Sequence, residues 1–304
     1  MQIVISPEKL ELIDAIICIG NFDGVHIGHQ MLLEHMQQQA KTLEKPSIII
    51  TFFPPSKVFF QGDDFLSSYK EKIELLKPFA PQAIVMIPFD ESYVHTPKED
   101  FLAHLNKLEP HTIIVGEDFR FGYKRQGSLN DLSHLPERLE VFGMKRFAGQ
   151  EVKSTRIRQL LTEGQVEAVK PLLGRSYSAM GNVIEGDKRG RSIGFPTANI
   201  QTPKGKALPF GVFVVKVATT QGQFGGMANV GPRPSFPDDP PSLEVNLFEF
   251  EGNLYGQTLT VHFEGFIRSQ KKFSSLDELK LQLTRDKTAS QQILNLRKVV
   301  IDKR

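Results

Sequence analysis

The sequence predicts an α/β domain followed by a β domain: a parallel sheet with helices on both faces, then a small antiparallel barrel closed by a terminal helix. Three observations predict it. The first half alternates short apolar runs with stretches of helical spacing, the pattern of a parallel sheet covered on both faces. The second half carries strand-like runs separated by Gly, Pro and Asp turns, with no long helix among them, as small barrels do. At 304 residues the chain exceeds one typical domain. The texture changes near Leu173, so the expected domains are 1–172 and 173–304.

Each element has its own warrant. "AIICIG" (15–20), "PSIIITF" (46–52), "AIVMIP" (83–88), "TIIVG" (112–116) and "LEVFGM" (139–144) read as buried strands. Helical spacing fills 29–43, 69–79 and 97–108 between them, and a further helical pattern runs from Ser154 to Leu173, broken by Gly164. Beyond it, "YSAMGNVIEG", "GVFVVKVATT", "QFGGMANV", "LEVNLFEF" and "TLTVHFEGF" read as strands. Near the end, Ser275 and Glu278 form a capping box, and Leu276, Leu279 and Leu283 share one helix face.

Composition excludes several classes. Hydrophobic content of 40% and charged content of 24% are ordinary for a globular chain. A net charge of +2 gives no argument for a nucleic-acid or membrane-surface partner. Cys18 is the only cysteine, so no internal disulfide is possible, which fits a reducing compartment. The N-terminus lacks a basic segment before an apolar core, and no apolar run is long enough to span a bilayer. The expectation is a cytoplasmic protein.

The most informative stretch is "GNFDGVHIGHQMLLEHM", residues 20–36. Gly20, Gly24 and Gly28 stand four apart with His26 and His29 among them, a spacing that fits neither a dinucleotide fingerprint nor a Walker loop. A turn between a buried strand and a helix leaves backbone N–H groups pointing outward, and the helix dipole favours an anion there. Two histidines three apart can donate to the same phosphate. A helix-capping turn with surface histidines is the plainer reading, and a zinc site a third. "KSTRIRQLL" (153–161) repeats the theme, with Ser154 and Thr155 as capping hydroxyls and Arg156 and Arg158 behind them.

A second constellation lies in "GDKRGRSIGFPTANI" (186–200), where Gly186, Gly190 and Gly194 alternate with Lys188, Arg189 and Arg191. Such a loop can fold over phosphates, be a solvated hairpin tip, or touch RNA. Thr197 and Asn199, two apart on extended chain, point to one side and can share a magnesium ion. Glu244 interrupts the apolar pattern of "LEVNLFEF". It is either a surface charge or a general base.

With these residues in view, "GVHIGH" followed at long range by "STRIR" resembles the nucleotidyltransferase superfamily. "GNFDGVHIGHQ" with "VGEDFRFG" (115–122) is similar to the adenylyltransferase module of prokaryotic bifunctional riboflavin kinase/FAD synthetase. "LLGRSY", "GFPTAN", "ANVGPRPSF", "LEVNLFEF" and "FIRSQKKF" resemble riboflavin kinase in the same order. The resemblance implies a nucleotidyltransferase-type α/β domain and a riboflavin-kinase-like barrel. The enzyme would make FMN from riboflavin and ATP, then FAD from FMN and ATP with release of pyrophosphate. In the first module it implies ATP contacts from Gly20, Asn21, Asp23, His26, Gly28, His29, Ser154, Thr155 and Arg158, with His29 catalytic and Asp118 and Phe119 on the FMN side. In the second it implies that Gly186, Lys188, Gly194, Thr197 and Asn199 bind ATP. Thr197 and Asn199 would also hold Mg²⁺, and Glu244 would be the base. Riboflavin, FMN and ATP would be the partners of a monomer or weak homo-oligomer, with no nucleic acid and no membrane. One departure stands out: the family usually reads Thr-Phe-acidic-Pro-x-Pro, and this chain reads "TFFPPS", with Phe53 at the acidic position and Ser56 at the second proline.

Overall fold

A computed structural model describes residues 1–186, 190, 193–231 and 241–301, with side chains described to position 295. The chain divides into two compact units, Met1–Ser154 and Thr155–Arg304.

The first unit is a six-stranded sheet in the order β1-β4-β3-β2-β5-β6. Its strands are β1 (Gln2–Val4), β2 (Ile16–Ile19), β3 (Ser47–Phe53), β4 (Ala83–Pro88), β5 (Thr112–Gly116) and β6 (Arg138–Phe142). Every pairing is parallel. The longer helices are α1 (Ile27–Leu43), α3 (Tyr69–Leu76) and α5 (Lys98–Asn106). The short ones are α2 (Ser56–Gln61), α4 (Glu91–Val94) and α6 (Leu129–Leu132). Successive residues of β2 feed opposite cores: Ile17 and Ile19 join Val85, Phe101 and Val115, while Ile16 and Cys18 join Leu33, Met36 and Ile84. Burial on both faces is why β2 to β5 read as continuous apolar runs; β6, expected to be buried, is an edge strand with no buried residue.

From β2 the chain turns through α1 to β3 on one side, and β5 lies on the other side of β2. The order reverses there, so a crevice opens beyond the carboxyl ends of β2 and β5. Gly20 follows one strand end and Glu117 the other. The elements that sequence reading omitted, β1, α2, α4, α6 and the hairpin β7 (Arg146–Phe147) with β8 (Gln150–Glu151), are all six residues or shorter. They are too short to show a period.

The second unit opens with α7, whose helical residues run Ser154–Thr162 across the division, and α8 (Val166–Leu173). A closed barrel follows in the order β10-β13-β12-β11-β14-β9. Its strands are β9 (Tyr177–Ile184), β10 (Ala198–Gln201), β11 (Gly211–Thr219), β12 (Gly222–Gly231), β13 (Ser242–Leu247) and β14 (Thr258–Arg268). Four-residue β10 pairs antiparallel with both β9 and β13 and so completes the barrel. Phe213, Ala228 and Val245 are cross-strand partners and fully buried. Their neighbours Val214 and Met227 face the other way, against Leu294 of the terminal helix α9 (Leu276–Ile301).

Two details of α9 correct the expectation. Leu276 is 68% exposed. Leu283 of the expected stripe does pack, joined by Asp286, Ser290, Ile293 and Leu294, because the helix docks over its middle turns. The capping arrangement is shared between two serines: Ser275 Oγ accepts from Glu278 N, while the Glu278 carboxylate accepts from the N–H and hydroxyl of Ser274.

Candidate functional site

The turn between β2 and α1 is strained. Phe22 (φ 43°), Gly24 (φ 76°) and Val25 (φ 41°) are left-handed, and for a β-branched valine that is a costly conformation. The surrounding chain over-determines it. Asn21 O accepts from Lys72 Nζ at 2.8 Å and Thr51 Oγ1 at 3.1 Å. Asp23 is buried, its carboxylate accepting from Leu66 N and Ser67 N. Gly24 N donates to Ser67 Oγ. The Asn21 amide exchanges hydrogen bonds with Ser56, so the serine at the departing position anchors the turn. Asn21 and Asp23 thus hold the turn through neighbouring segments.

His26 is the N-cap of α1: its Nδ1 accepts from His29 N at 3.3 Å. The ring proton of neutral His26 is therefore on Nε2. The two imidazoles are stacked 3.6 Å apart at 14°. Parallel rings, one with Nδ1 already used, suit adjacent donors better than two converging zinc ligands. Burial holds His29 well below the usual imidazole range, with His26 and the Lys72 charge adding to it. His29 is neutral at pH 7, and its buried Nδ1 has no hydrogen-bond partner among the described residues. Gly28 has a local reason: a Cβ there would lie 3.2 Å from the His26 ring and 3.4 Å from Lys145 Cβ. A Cβ on Gly20 would come within 3.0 Å of the Phe22 ring.

Ser154 is not a side-chain cap. It is the first helical residue of α7, and its hydroxyl donates to Asp23 O at 3.0 Å. Thr155 and Arg158 follow it on the helix, in the second unit. Asp118 is exposed just past β5, and Phe119 stacks on Phe121 at 5.8 Å. Lys72 went unremarked in the sequence. Its signal was a lysine on the apolar stripe of α3, one residue before Ile73 and four before Leu76.

In the second unit, Asn199 of β10, Glu244 of β13 and Asn229 of β12 are successive cross-strand partners, so their side chains share one face. That face is the one opposite Val245, turned out of the barrel. Next to it, Asn246 Nδ2 donates to Pro196 O at 2.7 Å and fixes the chain entering β10. Thr197 is exposed at that entry. A Cβ on Gly186 would meet Asn199 Nδ2 at 2.1 Å: the glycine makes room for the amide. Gly194 has φ 84° in open space. Lys188, Arg189 and Arg191 lie outside the described residues. Asn229 and Gln270, hydrogen-bonded at 3.0 Å, were not foreseen.

Comparison with known proteins matches each half of the chain to a family. Family models for FAD synthetase and riboflavin kinase match residues 8–159 and 173–294. A bifunctional riboflavin kinase/FMN adenylyltransferase of Haemophilus influenzae is 36% identical over 287 residues, covering 91% of this chain and 93% of its own. The protein of the same description in Bacillus subtilis is 32% identical, covering 95% and 96%. A crystal structure from Streptococcus pneumoniae, described as a macrolide-efflux protein, superposes with a TM-score of 0.84 at 27% identity, over 95% of this chain and 98% of that one. Among the described residues of this chain no helix is long and apolar enough to cross a membrane. With both catalytic domains matched in order and relatives of one description aligned over nearly the full length, the chain belongs to the bifunctional riboflavin kinase/FMN adenylyltransferase family, the enzymes that convert riboflavin to FMN and FMN to FAD.

Proposed function

We propose that adenylylation of FMN uses the turn of residues 20–29 as its phosphate cradle. The observation that carries this is His29, buried and neutral at the N-terminus of a 17-residue helix, its Nδ1 without a partner among the described residues. His26 donates from Nε2 and His29 from its own ring to ATP phosphates, beside the outward N–H groups of the helix start. An FMN phosphate oxygen attacks the α-phosphorus and pyrophosphate leaves. Both imidazoles are donors to the charge that builds on it, and no covalent intermediate is needed. Gly20, Asn21, Asp23, Gly28 and Ser154 shape the cradle, with Asp118 and Phe119 on the FMN side. The parts of Thr155 and Arg158 in triphosphate binding rest on the motif alone.

For riboflavin phosphorylation we assign Glu244 as the base that takes the proton from the ribityl 5′-hydroxyl as it attacks the γ-phosphate. Thr197 and Asn199 would hold Mg²⁺ with ATP, and Gly186 and Gly194, with Lys188 outside the described residues, would line the nucleotide side. Two neutral side-chain oxygens suit Mg²⁺, which takes hard oxygen ligands and keeps substrate phosphates in its shell. Space beside Gly186 for the Asn199 amide supports that fit. Bound there, the ion would neutralise phosphate charge. The 1–172 and 173–304 division rests on a kinase match that begins at residue 173, whereas the compact units divide at 154/155 and keep α8 with the barrel. A cytoplasmic monomer or weak homo-oligomer, with neither nucleic acid nor membrane as partner, rests on composition and motif.

The test is a time course with riboflavin, ATP and Mg²⁺, resolving flavins by chromatography. FMN should appear first and FAD after it, and chelation should stop both. Flavin phosphorylation that continues in excess chelator would overturn the Mg²⁺ assignment.

A further inference from the structure

Lys72 is fully buried on α3. Its ammonium donates to Asn21 O at 2.8 Å and to Phe52 O at 2.7 Å, and lies 5.7 Å from the centre of the Phe53 ring. Those contacts satisfy donors and leave the charge to be balanced by Asp23. A buried cation is costly, and an apolar side chain of the same length would fill the space. The position explains its presence. Asn21 begins the strained turn and Phe52 is the penultimate residue of β3, so one ammonium ties the strand to the turn leading to both histidines.

We propose that Lys72 is a positioning residue for adenylyl transfer: its buried ammonium ties the carbonyl of Asn21 to that of Phe52 and sets a positive charge beneath the phosphate cradle. The proposal rests on the cradle reading above. The field of this charge already reaches His29, and the same field favours a bound polyphosphate. The titratable groups around the ammonium are Asp23 from the turn and His29, stacked on His26, from α1. Glu71 on its own helix is occupied by the cap at Ser68. β3 offers carbonyls and rings. Burial pushes the Lys72 ammonium down to about 8, against a smaller upward pull from Asp23. Free enzyme therefore loses this proton as pH rises through about 8.

The experiment measures kcat/KM for FMN adenylylation from about pH 6 to about pH 10 on full-length wild type, Lys72→Met and Phe53→Asp, with riboflavin phosphorylation followed on the same samples. Wild type should decline above about pH 8. Lys72→Met should be at least about tenfold slower at neutral pH and should lack that decline. Phe53→Asp places a carboxylate beside the ammonium and should move the decline up by about one unit or more. Riboflavin phosphorylation should be unchanged throughout. A wild-type profile flat across pH 8, a Phe53→Asp profile superimposable on wild type, or a Lys72→Met enzyme with wild-type rate and profile would each overturn the proposal. The cradle reading fails separately, if His29→Ala adenylylates FMN at the wild-type rate. A slow His29→Ala enzyme beside an unaffected Lys72→Met enzyme sinks only the role of Lys72.

Discussion

We assign His29 and Glu244 to different chemistries, so each can be replaced without touching the other. A well-placed donor that acts on the leaving group in the transition state is worth roughly 3–4 kcal/mol. His29→Ala should therefore slow FMN adenylylation by about two orders of magnitude or more and leave riboflavin phosphorylation nearly intact. A capping role alone predicts a lower melting temperature with unchanged turnover per folded molecule, so both are measured on one preparation. Glu244→Gln keeps size and hydrogen bonding and removes the base, and should slow riboflavin phosphorylation by about 10²–10⁴-fold while FMN is still adenylylated. An unchanged kinase rate would make Glu244 a surface charge on the strand. The sequence exposed these two residues because their side chains break a local pattern. Lys72 breaks one too, as a lysine on the apolar stripe of α3, but its role, like that of Asn229, exists only once separate strands and helices meet.

At the scale of elements, legibility followed burial. β2, β3, β4 and β5 read clearly since both faces are covered and, apart from Ser47, Thr51 and Thr112, their buried positions are apolar. β10 did not, because four residues, only one of them buried, are too few to carry a period of their own. α9 shows the limit of a leucine stripe. Its docking is governed by Arg268 of β14, which grips the buried Asp286 carboxylate through Nε and Nη2 at 2.8 to 3.2 Å, with Gln282 as a third donor. Removing one partner strands the other charge. Asp286→Ala should cost about 3 kcal/mol or more, read as a lower denaturation midpoint of the second unit. A midpoint within error of wild type would show that the ion pair merely balances its own desolvation. Gly186→Ala probes the other side of the barrel. Its Cβ would displace the Asn199 amide, so riboflavin phosphorylation should fall with a raised requirement for Mg²⁺, while adenylylation continues.

At the scale of the whole molecule, one polar set centred on the 20–29 turn of the first unit and another on the barrel of the second predict separable activities. Where to cut is a physical question. α8 packs on β9 and β14, with Glu167 accepting from Phe266 N at 2.7 Å and Lys170 reaching Glu264 at 3.4 Å. Leu172 and Leu173 are buried as well. A fragment 155–304 keeps these contacts, and it should phosphorylate riboflavin and make no FAD. A fragment 174–304 strips the helix from β14, leaves apolar barrel surface wet, and should be markedly less stable even where it retains activity. Denaturation curves and flavin chromatography on both fragments test the argument. If 155–304 folds yet leaves riboflavin untouched, the kinase site needs the first unit, and the assignment of one activity to each unit is wrong.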